Sequence, residues 1–442
     1  MADYDYDVLY LGCGHGTFDG AIPLAQSGKK VGVIESRLIG GTCPNRGCNA
    51  KITLDAPVKL TRAKERLEGI VNGDWSLDWG QMVAQKQAVI DPLPDMISGL
   101  LTGVGVQIIT GRGELTDAHT IEVDGKPITA DKLVIATGLR PNKLAIPGTE
   151  LAHDSEDFMN LTTLPKRLAI VGSGYISMEF ATMANAAGAA VTVLMHGDRA
   201  LRQFHQPFVE TVIEDLIKRG VTFIKNAGVH EFAQSGDAYT VTYGDGQSLT
   251  VDWILDATGR IPNVENIGLE TVGVAFNEHG IEVNNHLQTS VANIYASGDV
   301  IDKQQPKLTP TAIFESVYLM QLFSGQTDQP IDYPAIPSTV FTSPRIAKVG
   351  ESVETAEKKG DKVVTNQIKD DWYRQVDRQT LGASKLVFDA DHKLIGATEC
   401  SEEADNAIDT LLPAIEFGLD ASQVGRIVHL FPTIAASAWE KL

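Results

Sequence analysis

Two copies of one signature decide most of what this 442-residue chain can become. The first is "YDVLYLGCGHGTFDGAIPLAQSGKKVGVIES", starting at Tyr6. The apolar run Val8 to Leu11 predicts a buried strand, and Gly12-x-Gly14-x-Gly16 a tight turn. A helical stretch (Ala21 to Gln26) and a second apolar strand (Val31 to Ile34) follow, ending at Glu35. This is a βαβ unit with an acid about 20 residues beyond the glycines. Gly12 and Gly14 let the backbone approach a pyrophosphate seated on the helix N-terminus. Glu35 accepts hydrogen bonds from an adenosine ribose. Thr17 replaces the usual third glycine, which weakens the match.

The second copy is "KRLAIVGSGYISMEFATMANAAGAAVTVLM", with Gly172, Gly174 and Ser177 in the same roles. No acid ends its second strand. Met195 stands there, followed by His196, Arg199 and Arg202. A carboxylate would grip a 2′-hydroxyl, whereas cations grip a 2′-phosphate. The pattern leans to NADPH over NADH, the alternative being that these cations merely solvate a loop.

Two nucleotide folds in one chain imply an electron relay between two dinucleotides, a flavin and a nicotinamide. The run "TSVANIYASGDV" supports the flavin, because Asp299 at its end suits a ribityl hydroxyl. The stretches "LVIATGLRP" (133–141) and "ILDATGRIP" (254–262) resemble each other, and each reads as a strand ending in a Gly turn. They are expected to mark crossings between domains.

Two of the four cysteines, Cys43 and Cys48, fall in "GGTCPNRGCNAK". Their residue types leave three readings: a redox couple, half a metal site, or two small hydrophobes. No second Cys/His pair lies at a ligand spacing, which argues against zinc. Cys13 and Cys400 are expected to be packing thiols. Lys and Arg total 37 against 57 Asp and Glu, a net charge of −20 that disfavours nucleic acid and anionic membrane as partners. No apolar run approaches the ~18 residues of a membrane span, and no leader is evident. A cytoplasmic protein is expected.

Taken together, these motifs resemble the pyridine nucleotide–disulfide oxidoreductases, the family of dihydrolipoamide dehydrogenase, glutathione reductase and mercuric reductase. "GGTCPNRGC", "ATGLRP", "GSGYISMEF", "ATGRIPN", "IYASGD", "LTPTAI" and "VFTSPRIAKVG" carry the likeness almost end to end. The resemblance implies an α/β fold of two Rossmann-like dinucleotide-binding domains plus a C-terminal α+β dimerisation domain. The FAD domain would be split (1–150 and 260–333), the NAD(P) domain inserted (151–259), and residues 334–442 would form a homodimer. Carried over, Cys48 is the charge-transfer thiol beneath the flavin and Cys43 the interchange thiol facing substrate. The FAD set becomes Gly12, Gly14, Gly16, Glu35, Gly41, Thr42, Lys51, Thr137, Gly138 and Asp299. The NAD(P) set becomes Gly172, Gly174, Tyr175, Ile176, His196, Arg202 and Gly259, with Tyr175 matching the family's aromatic lid over the nicotinamide pocket.

Three departures stand out. The family ends H-x-H-P-T-x-x-E, whose second His is the acid–base catalyst supplied by the other subunit. Here "HLFPTIAASAWE" puts Phe431 in that place and Ala436 in place of the Glu, leaving His429 two residues early. An extended segment would put 429 and 431 on one face, which makes His429 a candidate substitute. The family's Lys four residues beyond the second Cys, partner of a Glu matched by Glu179, is Ile52, with Lys51 one residue off. Pro57 interrupts the helix that follows and is expected to bend it. Ile22 and His15 stand where glutathione reductases carry an Arg and a Ser, giving little support for glutathione. The leading expectation is an FAD-dependent NAD(P)H oxidoreductase that cycles through Cys43–Cys48 to reduce a disulfide-type acceptor without the His–Glu pair. The alternatives are reduction of a metal ion, quinone or oxygen, or a flavoprotein with a sensing or scaffold role.

Overall fold

The apolar runs flanking each glycine turn pair side by side as parallel strands. A computed structural model describes residues 4–442. They fall into two units, one of residues up to 53 with 84–142 and 260–333, the other of 54–83, 143–259 and 334–442.

In the first unit the strands Gln107–Thr110, Val31–Glu35, Tyr6–Leu11 and Lys126–Ile135 lie in that order and run parallel. Ile294–Ala296 adds a further parallel strand beside Leu133 to Ile135. The opening half of Lys126–Ile135 instead pairs antiparallel with Thr120–Val123, which pairs with Gly113–Asp117. Both faces of the parallel part are covered, so Val8, Leu9, Val33, Leu133 and Ile135 are all buried, as a continuous apolar run requires. The helix Phe18–Gln26 crosses Thr309–Phe323 so closely that a Cβ on Gly20 would lie 2.1 Å from the Ser316 carbonyl oxygen.

The second unit repeats the theme with four parallel strands in the order Thr222–Ile224, Ala190–Leu194, Arg167–Val171, Trp253–Asp256. An antiparallel trio, Val229–Ser235, Ala238–Tyr243 and Gln247–Val251, accompanies them. Its C-terminal part is a five-stranded antiparallel sheet, Ser338–Val340, Arg345–Gly350, Leu394–Ser401, Ala383–Phe388, Lys362–Gln367. The helix Ala404–Glu416 packs its Ala407, Ile408 and Leu411 face on that sheet.

The two "ATG" stretches do end strands. After Ile135 and Asp256 the chain turns at Gly138 and Gly259, both with positive φ, and Leu139–Pro141 then pairs antiparallel with Arg260–Pro262. The helix Cys48–Arg66 runs continuously through Pro57. Its later residues are tied into the second unit by ion pairs. Asp55 Oδ2 is 2.8 Å from Arg345, Lys59 is 2.7 Å from Glu403, and Arg66 is 3.0 Å from both Asp377 and Glu402.

Nearby, Arg374 is wholly buried (0% exposed) against Glu399 and Ser401. Removing one member strands the other charge in a dry interior, which typically costs about 3–5 kcal/mol, whereas replacing both with apolar residues is close to neutral. Arg374→Leu should therefore lower the melting temperature of the holoenzyme sharply, and Arg374→Leu with Glu399→Leu should recover most of the loss. A single variant as stable as the parent would contradict this.

Candidate active site

Glycine is required at the start of both nucleotide turns because the backbones there touch. Gly12 (φ +105°) lies under Ala136, where a Cβ would come within 2.4 Å of the carbonyl oxygen. Gly172 (φ +118°) stands in the same relation to Ala257, at 2.3 Å. The missing third glycines also have an explanation. Thr17 Oγ1 donates to the Gly12 carbonyl at 2.8 Å, and Ser177 Oγ donates to the Gly172 carbonyl at 2.7 Å. A hydroxyl closes each turn from the start of the helix that follows it.

Glu35, at the end of its strand, accepts the Cys13 N–H at 2.9 Å on one oxygen and the Arg37 N–H at 2.8 Å on the other. The carboxylate is thereby oriented, and each oxygen keeps a second lone pair for a ligand hydroxyl. Gly16 packs on Ser297 and Gly298, and Ser297 Oγ donates to the Gly16 carbonyl at 2.6 Å. That contact brings the Asp299 turn to the first glycine turn. Asp299 Oδ1 is buried and has no hydrogen-bond partner in the protein. A buried acceptor so placed needs a donor, and a ribityl hydroxyl supplies one. Gly14 has only the Gly41 Cα within 4 Å of a built Cβ, so a phosphate can approach its backbone. These residues fit FAD.

The cysteine pair is built onto the same turn. Gly40 N–H donates to the Cys13 carbonyl at 2.9 Å, and a Cβ on Gly41 (φ +68°) would sit 2.8 Å from the Gly14 Cα. The next residues form a short helix, Thr42–Arg46, and Cys48 opens the long helix Cys48–Arg66. Gly47 makes the break between them. A Cβ there would press on the Thr42 carbonyl oxygen at 2.9 Å and the Cys43 Cα at 3.2 Å. That tight corner lets two residues five apart share a hydrogen bond between their side chains.

The thiols are not equivalent. The Cys48 pKa is pulled down to about 6, first by the hydrogen bond from Cys43, then by the Thr309 hydroxyl and the Lys51 charge, against the opposing effect of burial. Thr309 Oγ1 lies 3.4 Å from Cys48 Sγ. Cys48 and Thr309 each begin a helix, so the positive ends of two helices meet at this sulfur. Cys43 moves the opposite way, pushed up mainly by its hydrogen bond to Cys48 and by burial. Its Sγ also lies 3.7 Å from Asn49 Oδ1. The thiolate therefore resides on Cys48 and the proton on Cys43. Thr309 lies in "LTPTAI" and Asn49 beside Cys48, but the sequence assigned neither a role. Thr309 is 261 residues from the cysteine it touches, and only the fold brings the two together.

In the second unit, Gly172, Gly174, Tyr175, Ile176 and Gly259 gather at the second nucleotide turn. Tyr175 opens the helix Tyr175–Ala186, and burial pushes its phenol up to about 12. His196, Arg199 and Arg202 are exposed in the following loop, the Arg202 guanidinium lying over Gly197. Glu179 is buried and accepts the Phe341 N–H at 3.0 Å.

Residues 427–431 lie in no strand; His429 is half-buried with its ring against Trp439 (4.8 Å), and Phe431 is 70% exposed beside Trp372 and Tyr373. Among the described residues no group of three or more His, Cys, Asp or Glu is placed to hold a metal ion, and no helix is long and apolar enough to cross a membrane.

A family profile described as pyridine nucleotide-disulphide oxidoreductase matches residues 6–316, and that family's dimerisation domain matches residues 336–441. The chain belongs to this family. Its members are FAD-dependent enzymes that use a pyridine nucleotide. The chain is 32% identical to a glutathione reductase of Nostoc sp., covering 98% of both proteins. It is also 32% identical to a mercuric reductase of Lysinibacillus sphaericus (98% of this chain, 81% of the relative). A dihydrolipoyl dehydrogenase of Geobacillus stearothermophilus is equally similar, at 32% over 98% and 95%. Among solved structures, the Cu(II) complex of the HOCl-induced flavoprotein disulfide reductase RclA from Escherichia coli superposes with a TM-score of 0.89. It shares 26% identity, over 100% of this chain and 99% of that one.

The asymmetry of the two thiols has a direct readout. In the reduced holoenzyme, the first of the two thiols should ionise through a midpoint near 6, read as ultraviolet thiolate absorbance, and Cys48→Ser should remove that step. A midpoint near the ordinary thiol value of about 8.5 would refute the assignment.

Proposed function

We propose that this enzyme uses NAD(P)H to reduce a thiol-reactive metal ion such as Cu(II), with Cys43 and Cys48 as the electron-donating pair. The observation that carries the reading is the setting of Cys43, whose sulfur lies 3.7 Å from Asn49 Oδ1 and beside the Cys48 sulfur, a setting that favours its thiol form. On the roles the family resemblance assigns, a substrate disulfide must be attacked by Cys43, and a protonated thiol is a poor nucleophile. The expelled thiolate also needs an acid, help worth about 10²–10⁴-fold, and Phe431 replaces the histidine that gives it in the family. A metal ion asks for neither. Thiolates bind the ion and are the preferred ligands of the Cu(I) product, and binding releases the Cys43 proton.

The balance is simple. Two Cu(II) ions each take one electron, the Cys48 thiolate and the Cys43 thiol become the disulfide, and one proton leaves. Bound FAD would supply the electron transfer that links the nicotinamide to that disulfide. Glu35, Asp299 and the Gly12–Gly16 turn would hold FAD, with Gly41, Thr42, Lys51, Thr137 and Gly138 beside them. Gly172, Gly174, Tyr175, Ile176, Gly259, His196 and Arg202 would hold the nicotinamide nucleotide, with NADPH favoured by the exposed cations. The Cu(II) complex formed by RclA and the mercuric reductases among the relatives support a metal acceptor. The glutathione reductases and dihydrolipoyl dehydrogenases support the second reading, a disulfide acceptor.

The working form on this reading is a homodimer. Its support is the dimerisation-domain match and the exposed apolar side chains of Phe417 (75%), Val428 (94%) and Leu430 (81%) beside Phe431.

Steady-state rates decide between the acceptors. With NADPH, kcat/KM for Cu(II) should exceed that for glutathione disulfide by about 10²-fold, the smaller end of what a general acid supplies. Phe431→His should narrow the gap by raising the disulfide rate. A parent enzyme that prefers glutathione disulfide would overturn the proposal.

A further inference from the structure

The loop of residues 196–205 carries the exposed cations His196, Arg199 and Arg202, and its far end reaches the base of Tyr175. Phe204 is buried, and its ring meets the Tyr175 ring edge-on, with centroids 5.5 Å apart and planes at 73°. The Lys348 ammonium stands over the same Phe204 ring, 5.1 Å from its centroid, and donates to the Gln203 carbonyl. The side-chain amide of Gln206 donates to the carbonyls of Ala200, Leu201 and Phe204 at 3.0–3.3 Å. His205 Nδ1 lies 2.6 Å from Glu354 Oε1.

A second tie runs through the backbone. Leu201 is buried with φ +43°, a left-handed conformation that a branched side chain resists and that persists only where its surroundings hold it. Its N–H donates at 2.9 Å to the carbonyl of Ser173, in the glycine turn two residues before Tyr175. Arg202 sits between the strained Leu201 and the Phe204 wedge. A guanidinium drawn from Gly197 to a phosphate therefore pulls on both anchors of the tyrosine.

We propose that Phe204 is a positioning residue for Tyr175, and that it joins the tyrosine to the cation loop so that a 2′-phosphate bound by the loop shifts the ring. The inference rests on the nucleotide reading given above and deepens it: the adenosine end of the cofactor would prepare the site for the nicotinamide end. A ligand shifts such an equilibrium only by its differential affinity for the two states, and the coupling is reciprocal.

Splitting the cofactor tests this. Reduced nicotinamide mononucleotide carries the hydride but no adenosine, and 2′,5′-ADP carries the phosphates but no nicotinamide. Anaerobic reduction of the holoenzyme by the mononucleotide, followed by its visible absorbance, should accelerate about 5-fold or more when 2′,5′-ADP is added. Phe204→Leu, which keeps most of the volume but removes the aromatic edge, should abolish the acceleration while 2′,5′-ADP still binds. Lys348→Met, which leaves the wedge in place but unpins it, should weaken the acceleration. By reciprocity, oxidised mononucleotide should tighten 2′,5′-ADP binding to the parent by the same factor. Acceleration by 5′-ADP equal to that by 2′,5′-ADP would show that the 2′-phosphate is not the trigger and would overturn the proposal. No acceleration by either fragment, or full acceleration in Phe204→Leu, would overturn the proposal.

Discussion

Two glycines, Gly14 and Gly41, touch backbone to backbone, and the active site is organised around that contact. No side chain comes between them, and the hydrogen bond from Gly40 to Cys13 locks the approach. The turn that can take a pyrophosphate and the turn that leads to the redox cysteines are therefore one structure. Gly41 has no room for a Cβ, and both turns position chemistry that lies beyond them. The Glu35 carboxylate is fixed through Cys13 N–H, and Cys43 follows two residues after Gly41. A side chain at position 41 would disturb the nucleotide cradle and the cysteine pair together.

From that contact outward, electrostatics sets the division of labour between two like side chains. Cys48 lies at the start of one helix, touches the first residue of another, and feels Lys51. Cys43 has a neighbouring thiolate and a partly buried setting, which hold its proton on. The pair is consequently polarised. One sulfur is charged at neutral pH, while the other acts as a proton donor until an acceptor displaces that proton. On the function proposed above, this polarity would let the pair give electrons to a metal ion without an acid–base histidine.

Much of this was legible in the chain. Both βαβ units, their glycines, Glu35, Asp299 and the twin "ATG" turns follow from local spacing, because each reflects a backbone conformation or a close approach only a few residues long. Thr17 looked like a weakened motif, yet its hydroxyl, like that of Ser177, closes its own turn on a carbonyl five residues back. What escaped sequence reasoning was non-local. Thr309 reaches Cys48 only through the fold, Asp55 finds Arg345 only through the C-terminal sheet, and Phe204 meets Tyr175 across a loop. The surroundings of the C-terminal segment are non-local too: His429 meets Trp439, and Phe431 meets Trp372 and Tyr373.

If electrons leave through the Cys43–Cys48 pair, a single turnover must consume its thiols. Holoenzyme reduced by one equivalent of NADPH without oxygen is mixed with Cu(II), and Cu(I) and remaining thiols are counted. Two Cu(I) ions should form for each pair of thiols lost, and Cys43→Ser should yield neither at a comparable rate. Formation of Cu(I) with both thiols intact, or undiminished in Cys43→Ser, would contradict that route.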